Sequence, residues 1–212
     1  MEMIFEDRVS AGKKLAQKLK EYRGKDAIVF ALPRGGVVTG AEIAKELDLP
    51  LEILIVRKIG HPYNPEYAIG AVNERGHIIN KDIDVSGIDP IWLSEEIKRA
   101  KALIADRRRK YLHERAPLSS KNKIAIIVDD GIATGSTMLA AIRAIKEQKP
   151  KKIVVAVPVS PKDTADMIEY DADEFVSLFI PDNFIGAVGE YYEKFDQVED
   201  RDVVKILKEG QR

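Results

Sequence analysis

The sequence predicts an α/β fold: an open, mainly parallel sheet of about five strands with helices on both faces, plus a long-helix insertion and a small hood or cap. Three observations predict it. Short apolar runs without polar alternation mark strands buried on both faces. Each of the best-defined runs leads through turn residues into a stretch with apolar residues at helical spacing. This order of strand, turn, helix and strand then occurs a second time, as parallel pairing requires.

The elements follow in order. Gly12, Leu15, Ala16, Leu19 and Tyr22 recur at three-to-four-residue spacing before Gly24, which predicts an amphipathic helix over 8–23 ended by a C-terminal glycine. Ala27 to Ala31 is the first strand. Leu32-Pro33-Arg34-Gly35-Gly36 turns the chain, and Val37, Gly40, Ala41, Ala44 and Leu47 give the next helix its buried face. Leu51 to Val56 closes the first βαβ unit. The second unit comprises Ile124 to Val128, Ser136 to Glu147 and Ile153 to Val157, extended by a helix near 162–170 and a strand near 174–180.

Two regions interrupt the alternation. Residues 57–80, rich in Gly, Pro, Asn and Tyr, predict a long loop with a hairpin at 68–80, and long loops in compact domains are more often functional than idle. Residues 89–116 predict one long helix inside an insertion spanning 86–117. Its Arg107, Arg108, Arg109 and Lys110 are expected to form a solvated face. Residues 1–180 thus form the core with its insertions. Residues 181–212, where aromatic side chains gather outside the repeating pattern, form a hood or cap, or a dimerisation segment.

Composition narrows the function. The 212 residues suit one α/β domain with appendages. A net charge of −1 and a pI near 6.4 lack the basic excess of a general nucleic-acid binder. The absence of cysteine excludes disulfides, thiolate zinc sites and a cysteine nucleophile. His61, His77 and His113 have no metal-ligand spacing. The N-terminus carries acidic residues where a secretory leader needs positive charge, and no apolar run approaches the length of a membrane span; a cytoplasmic location is expected.

The most informative segment runs from Ile126 to Thr137, IIVDDGIATGST. A buried strand ends in Asp129 and Asp130, a loop of small residues follows, and a helix begins. Ligands of open α/β sheets bind outside the carboxyl ends of strands. Thr134, Gly135, Ser136 and Thr137 would present backbone N–H groups and hydroxyls at a helix N-terminus, where unpaired amides and the helix dipole favour a phosphate. Two carboxylates beside such a cradle must face something other than phosphate, such as sugar hydroxyls or a metal. A sugar phosphate satisfies both halves. The loop lacks the lysine of a Walker A motif, and no GxGxxG follows the first strand.

The segment resembles the phosphoribosyl diphosphate (PRPP) motif of the type I phosphoribosyltransferases, and the resemblance extends over the core from about Ala27 to Ile180. It implies that Asp129 and Asp130 hold the ribose hydroxyls and that Ala133, Thr134, Gly135, Ser136 and Thr137 bind the 5-phosphate. The turn carrying Arg34, Gly35 and Gly36 resembles the family's pyrophosphate loop, with the arginine supplying charge and the glycines admitting the oxygens. Arg57 and Lys58 resemble the basic pair that opens the family's mobile loop, over which Tyr63, Tyr67 and Arg75 are spread. Asp129, Asp130, Arg34 and Lys58 are the implied catalytic set. Mg²⁺ is the implied cofactor, held through PRPP with Asp129 and Asp130 as candidate ligands.

The same resemblance implies transfer of a phosphoribosyl group to a nitrogenous base with release of pyrophosphate, as in nucleotide salvage, by a homodimer that uses neither nucleic acid nor membrane. Family members place a hood aromatic over the base, and Phe184, Tyr191, Tyr192 and Phe195 are the candidates, with Phe184, Tyr191 and Tyr192 foremost. Ala133 stands where hypoxanthine-guanine enzymes carry an aspartate, which argues against a 6-oxopurine acceptor acting through that group. A protein that senses PRPP without turnover is the alternative.

Overall fold

The computed structural model describes residues 5–74, 76–79, 87–113 and 115–210, with backbone only for Pro65, Glu66, His77, Ile78 and Ile79. Arg75 and the beginning of the predicted 86–117 insertion lie outside the described residues. Helix α1 (Arg8–Lys18) starts at Asp7, whose carboxylate accepts the Ser10 N–H at 2.7 Å in a reciprocal capping box. A single 3₁₀ turn, Lys20–Tyr22, follows it.

Strands β1 (Ala27–Ala31), β2 (Leu51–Ile53), β6 (Ile124–Val128), β7 (Lys152–Val159) and β8 (Glu174–Phe179) form one parallel sheet in the order β2-β1-β6-β7-β8. Alternate residues of one strand face opposite layers. Val29, Ala31, Ile126, Val128, Val154 and Ala156 point into a core shared with α1 and α2 (Gly35–Leu47). Ile28, Phe30, Ile127, Val155 and Val157 point into a second core under α4 (Ser136–Lys146) and α5 (Lys162–Asp171). Continuous apolar runs are what two buried faces require. Helices α1 and α2 cross closely at Gly12, where a Cβ would meet the Thr39 carbonyl oxygen at 2.8 Å.

The 57–80 segment departs from the loop predicted for it. Strands β3 (Arg57–His61), β4 (Asn64–Asn73) and β5 (Gly76–Ile79) make a three-stranded antiparallel sheet that packs against α3 (Pro90–Leu112) and α4. Its buried Ile59, Ile69 and Val72 join the core. The predicted hairpin at 68–80 corresponds to the β4–β5 pair.

The basic run on α3 is not wholly solvated either. Arg108 reaches Glu52, a buried β2 carboxylate, at 3.5 Å and Glu74 at 2.8 Å, while Lys110 meets Asp200 at 2.5 Å. Glu52 also receives Arg115 at 3.1 Å and the Leu118 N–H at 2.8 Å. Its negative charge is therefore fully partnered, the condition under which a buried carboxylate is tolerated.

The C-terminal segment divides in two. Helix α6 (Asp200–Glu209) inserts Val203 and Leu207 into the core beside α2 and α3. The stretch 181–196, with a 3₁₀ turn at Val188–Tyr191, folds over the C-terminal end of the sheet and pairs with the N-terminal segment: Phe5 donates to the Tyr191 carbonyl and accepts from the Glu193 N–H, both at 2.8 Å. Among the described residues no helix is long and apolar enough to cross a membrane.

Candidate active site

Both turns singled out in the sequence lie at the C-terminal ends of adjacent strands, because β1 and β6 pair in register and the Leu32 N–H continues the ladder to the Val128 carbonyl at 2.9 Å. The first turn, joined by a cis peptide between Pro33 and Arg34, therefore packs directly on the acidic pair that ends β6. A Cβ at Gly35 would fall 1.8 Å from Asp130 Oδ2, and one at Gly36 would fall 2.8 Å from Asp129 Cα. At Gly36 the obstacle is backbone, so contact alone requires glycine; at Gly35 it is a side-chain end, so a larger residue would displace the Asp130 carboxylate.

Each turn feeds a helix that lacks a side-chain cap. Arg34 and Gly135 occupy the N-cap positions of α2 and α4, and neither supplies a capping hydrogen bond, whereas Asp7 and Asp89 cap α1 and α3. The Val37 N–H of α2 turns back to the Arg34 carbonyl at 3.1 Å, while the N–H groups that open the two helices, at Gly35 and Gly36 and at Ser136 and Thr137, have no acceptor within them. Two such termini beside one another form a cradle for anions.

The second loop is held from three sides. Ile132 donates to the Val159 carbonyl at 2.9 Å, Thr164 Oγ1 donates to the Ala133 carbonyl at 2.8 Å, and Tyr192 Oη donates to the Asp130 carbonyl at 2.6 Å. Gly135 takes φ of 73°, where a Cβ would also strike Thr164 Cγ2 at 2.8 Å. Thr134 and Thr137 remain exposed, and the Thr134 and Ser136 hydroxyls lie 3.4 Å apart.

The carboxylates differ in surroundings. Asp129 Oδ1 accepts the Asp130 N–H at 2.9 Å, and burial followed by the adjoining Asp130 charge pushes the Asp129 carboxyl well above its usual range. Asp130 Oδ2 accepts from Arg8 Nε at 2.6 Å. Burial and the same Asp130 charge also raise the Tyr192 phenol, which keeps it protonated as the donor to the loop.

The remaining predicted residues are distributed as follows. Arg34 lies at the mouth of the first turn, 3.6 Å from Glu199. Arg57 is exposed and Lys58 half-buried on β3, which packs against α4. Tyr63 and Tyr67 are exposed beside His61, at ring separations of 5.8 and 6.4 Å. Phe184 is half-buried and, with Ala133, Thr134, Lys162, Asp163 and Met167, lines a cleft of about 790 Å³ next to the loop.

Tyr191 and Tyr192 do not share that cleft. These residues are 2% and 7% exposed and pack with Phe5 and Val159, which gives both a structural role. The cause is the pairing of Phe5 with the hood. Arg8, which sequence reasoning missed, also touches the site's surroundings, its guanidinium lying 3.7 Å from the ring centroid of Phe195, one of the hood candidates.

A parallel α/β sheet carrying these two turns is the architecture of the phosphoribosyl transferase family. The chain belongs to that family: residues 3–194 match the phosphoribosyl transferase domain. Two Mycobacterium tuberculosis proteins, from strains CDC 1551 and H37Rv and provisionally named phosphoribosyl transferases, are each 40% identical to it over 216 residues. The match covers 99% of this chain and 47% of theirs, so the chain spans about half the length of these relatives. The crystal structure of TT1426 from Thermus thermophilus superposes with a TM-score of 0.89 at 38% identity, covering 98% of this chain and 99% of that one. A purine phosphoribosyltransferase from Pyrococcus horikoshii, at 20% identity and a TM-score of 0.51, covering 94% of this chain and 99% of its own, shares the fold.

Proposed function

We propose that the protein transfers the phosphoribosyl group of PRPP to the nitrogen of a small base, releasing pyrophosphate. The observation that carries this reading is the convergence of two uncapped helix N-termini on one pair of carboxylates, with the Arg34 turn in contact with both. The α4 terminus, with Thr134, Ser136 and Thr137, takes the 5-phosphate. Asp129 and Asp130 take the ribose hydroxyls. The α2 terminus, Gly35, Gly36 and Arg34 face the diphosphate, and Arg57 and Lys58 approach from β3.

In the reaction the bond from the anomeric carbon to the pyrophosphate oxygen breaks, its electron pair leaving with pyrophosphate. A bond from that carbon to the acceptor nitrogen forms, and the nitrogen gives up a proton. Positive charge grows on the ribose ring while negative charge grows on the leaving group. The carboxylates oppose the first and the turn amides with Arg34 the second, from groups fixed before substrate arrives.

The donor set suits Mg²⁺, which prefers carboxylate oxygens, water and substrate phosphates to a cage of protein ligands. Among the described residues no cluster of three or more His, Cys, Asp or Glu could hold a metal by itself. Asp129 and Asp130, together with substrate oxygens, would hold the ion, whose chemistry is neutralisation of the diphosphate. Phe184, beside the 790 Å³ cleft, is the base contact of this reading. The acceptor belongs to nucleotide salvage in the cytoplasm, and the working assembly is a homodimer.

A sensing role without turnover is the second reading, favoured by the engagement of Asp130 with Arg8. Calorimetric titration of PRPP with Mg²⁺ into the wild type and an Asp129→Asn/Asp130→Asn variant tests the site, and a base screen for pyrophosphate release then separates the two readings. Binding lost in the variant supports the site; a wild type that binds no PRPP removes it. A nucleotide product eliminates the sensor.

A further inference from the structure

Arg8 opens α1, far along the chain from the motif that ends β6, yet its guanidinium is fixed by three contacts at that motif. Nε donates to Asp130 Oδ2 at 2.6 Å, Nη1 donates to the Asp196 carbonyl at 2.8 Å, and the planar group lies 3.7 Å from the centre of the Phe195 ring. The side chain is only 11% exposed. A guanidinium suits this seat because its donors diverge in one plane while its face stacks on an aromatic ring, which an ammonium cannot reproduce.

The backbone of the same residue is reached from the hood by a second path. Tyr192 Oη donates to the Asp130 carbonyl at 2.6 Å, and the Tyr192 ring stacks on Phe195 at 4.9 Å and on Phe5 at 5.3 Å. The hood and the first residues of the chain thus close on Asp130 as one unit, tied by the Phe5 and Glu193 backbone bonds. Arg8 holds only one oxygen, Oδ2, and Oδ1 takes no part in that bond.

We infer that Arg8 is a positioning residue for the sugar subsite: by seating Asp130 Oδ2 against the hood, it aims the other oxygen at the ribose hydroxyls. This rests on the phosphoribosyl reading above. Arg8 acts through Asp130 and does not contact the diphosphate, which belongs to the Arg34 turn. The inference separates ligands by the parts they contain. An untethered Asp130 weakens binding of anything with ribose hydroxyls and leaves bare pyrophosphate alone.

The test is calorimetric titration of three probes with Mg²⁺, namely PRPP, ribose 5-phosphate and pyrophosphate, into the wild type, Arg8→Gln and Phe195→Leu. The second variant keeps the charge and removes its aromatic seat, so the inference does not depend on Arg8→Gln alone. Losing a hydrogen bond to a charged group costs roughly 10- to 100-fold in a binding constant. Arg8→Gln is therefore expected to weaken PRPP and ribose 5-phosphate about 10- to 100-fold, and Phe195→Leu less, with pyrophosphate held to within about twofold.

Equal losses on all three probes would mean a merely structural or a direct diphosphate role, and unchanged sugar binding in both variants would mean none; either overturns the inference. Failure of the wild type to bind PRPP overturns the phosphoribosyl reading itself, and the sugar role with it. Wild-type binding that survives both variants overturns the positioning role alone.

Discussion

Gly35→Ala separates the stability of this site from its geometry. The added Cβ falls 1.8 Å from Asp130 Oδ2, 2.5 Å from Cγ and 3.0 Å from Arg8 Nε. Non-bonded heavy atoms settle near 3.5 Å, so the carboxylate must retreat by roughly 1.5 Å or more. Its end is free to rotate, so the backbone need not move. A retreat of that size breaks the bond from Arg8, at a cost of about 1.5–3 kcal/mol for a hydrogen bond to a charged group. Replacing glycine within a helix returns about 0.5–1 kcal/mol.

The net loss is on the order of 1–2 kcal/mol, which for a chain of this size lowers Tm by about 2–8 °C. Binding suffers as well, because a carboxylate drawn out of reach forfeits its hydrogen bonds to the ligand, each worth roughly 10- to 100-fold. The expected result is a folded protein that has lost about one to two orders of magnitude in affinity for PRPP with Mg²⁺, read by calorimetry beside thermal unfolding. Gly36→Ala is the matched control. There the Cβ meets Asp129 Cα at 2.8 Å and the Val128 carbonyl oxygen at 2.9 Å, both backbone atoms, so the larger loss is in stability. Affinity in Gly35→Ala within about threefold of wild type would refute the placement of Asp130 in the sugar subsite.

Two predictions concern the frame around the site. Glu52→Ala leaves Arg108 and Arg115 without their buried partner, and chemical denaturation should show a loss of about 3–5 kcal/mol; a loss under about 1 kcal/mol would mean that Glu74 and solvent compensate. At the opposite edge of the sheet Glu174 accepts from Tyr22 and Lys152, both at 2.5 Å. Burial acts to raise its carboxyl, but those two hydrogen bonds outweigh it and hold the group below its ordinary value. A depressed carboxyl stabilises the fold above the unfolded-state pKa and ceases to do so as pH falls through the folded one. Glu174→Gln should therefore unfold about 1 kcal/mol more easily at about pH 7, with the gap to wild type closing below about pH 4. A gap that is constant with pH would show that ionisation is not what stabilises the cluster.

The main sheet was legible because a strand buried on both faces leaves no choice of side chain, and β1, β6 and β7 are apolar at nearly every position. The smaller sheet was not. In β3, Arg57 to His61, only Ile59 is buried, and the register against β4 shifts on both sides of Gly60. A bulge resets the two-residue alternation within a strand of five residues, so the periodic signal has no length over which to accumulate. Pro65 and Gly70 within β4 read as turn residues, although the element is the central strand; β5 pairs with it only from Gly70 to Asn73, so Pro65 lies outside that ladder.

The site divides along the same line. The turn at 32–36 and the loop at 129–137 were legible as short motifs because each completes its geometry within a few residues of backbone. Everything that aims those motifs comes from elsewhere in the chain. Tyr191 and Tyr192 read as hood aromatics because they stand outside the repeating core, and nothing local shows that Phe5 pairs with that stretch and closes a third small core around them. Arg8 reads locally as an ordinary first-turn residue on a helix capped by Asp7. Its contact with Asp130 spans 122 residues and exists only because the β1–β6 register and the hood place both ends at the C-terminal end of the sheet. A positioning contact of this kind has no local pattern to recognise, since the residue types at its two ends would serve equally well as surface charges.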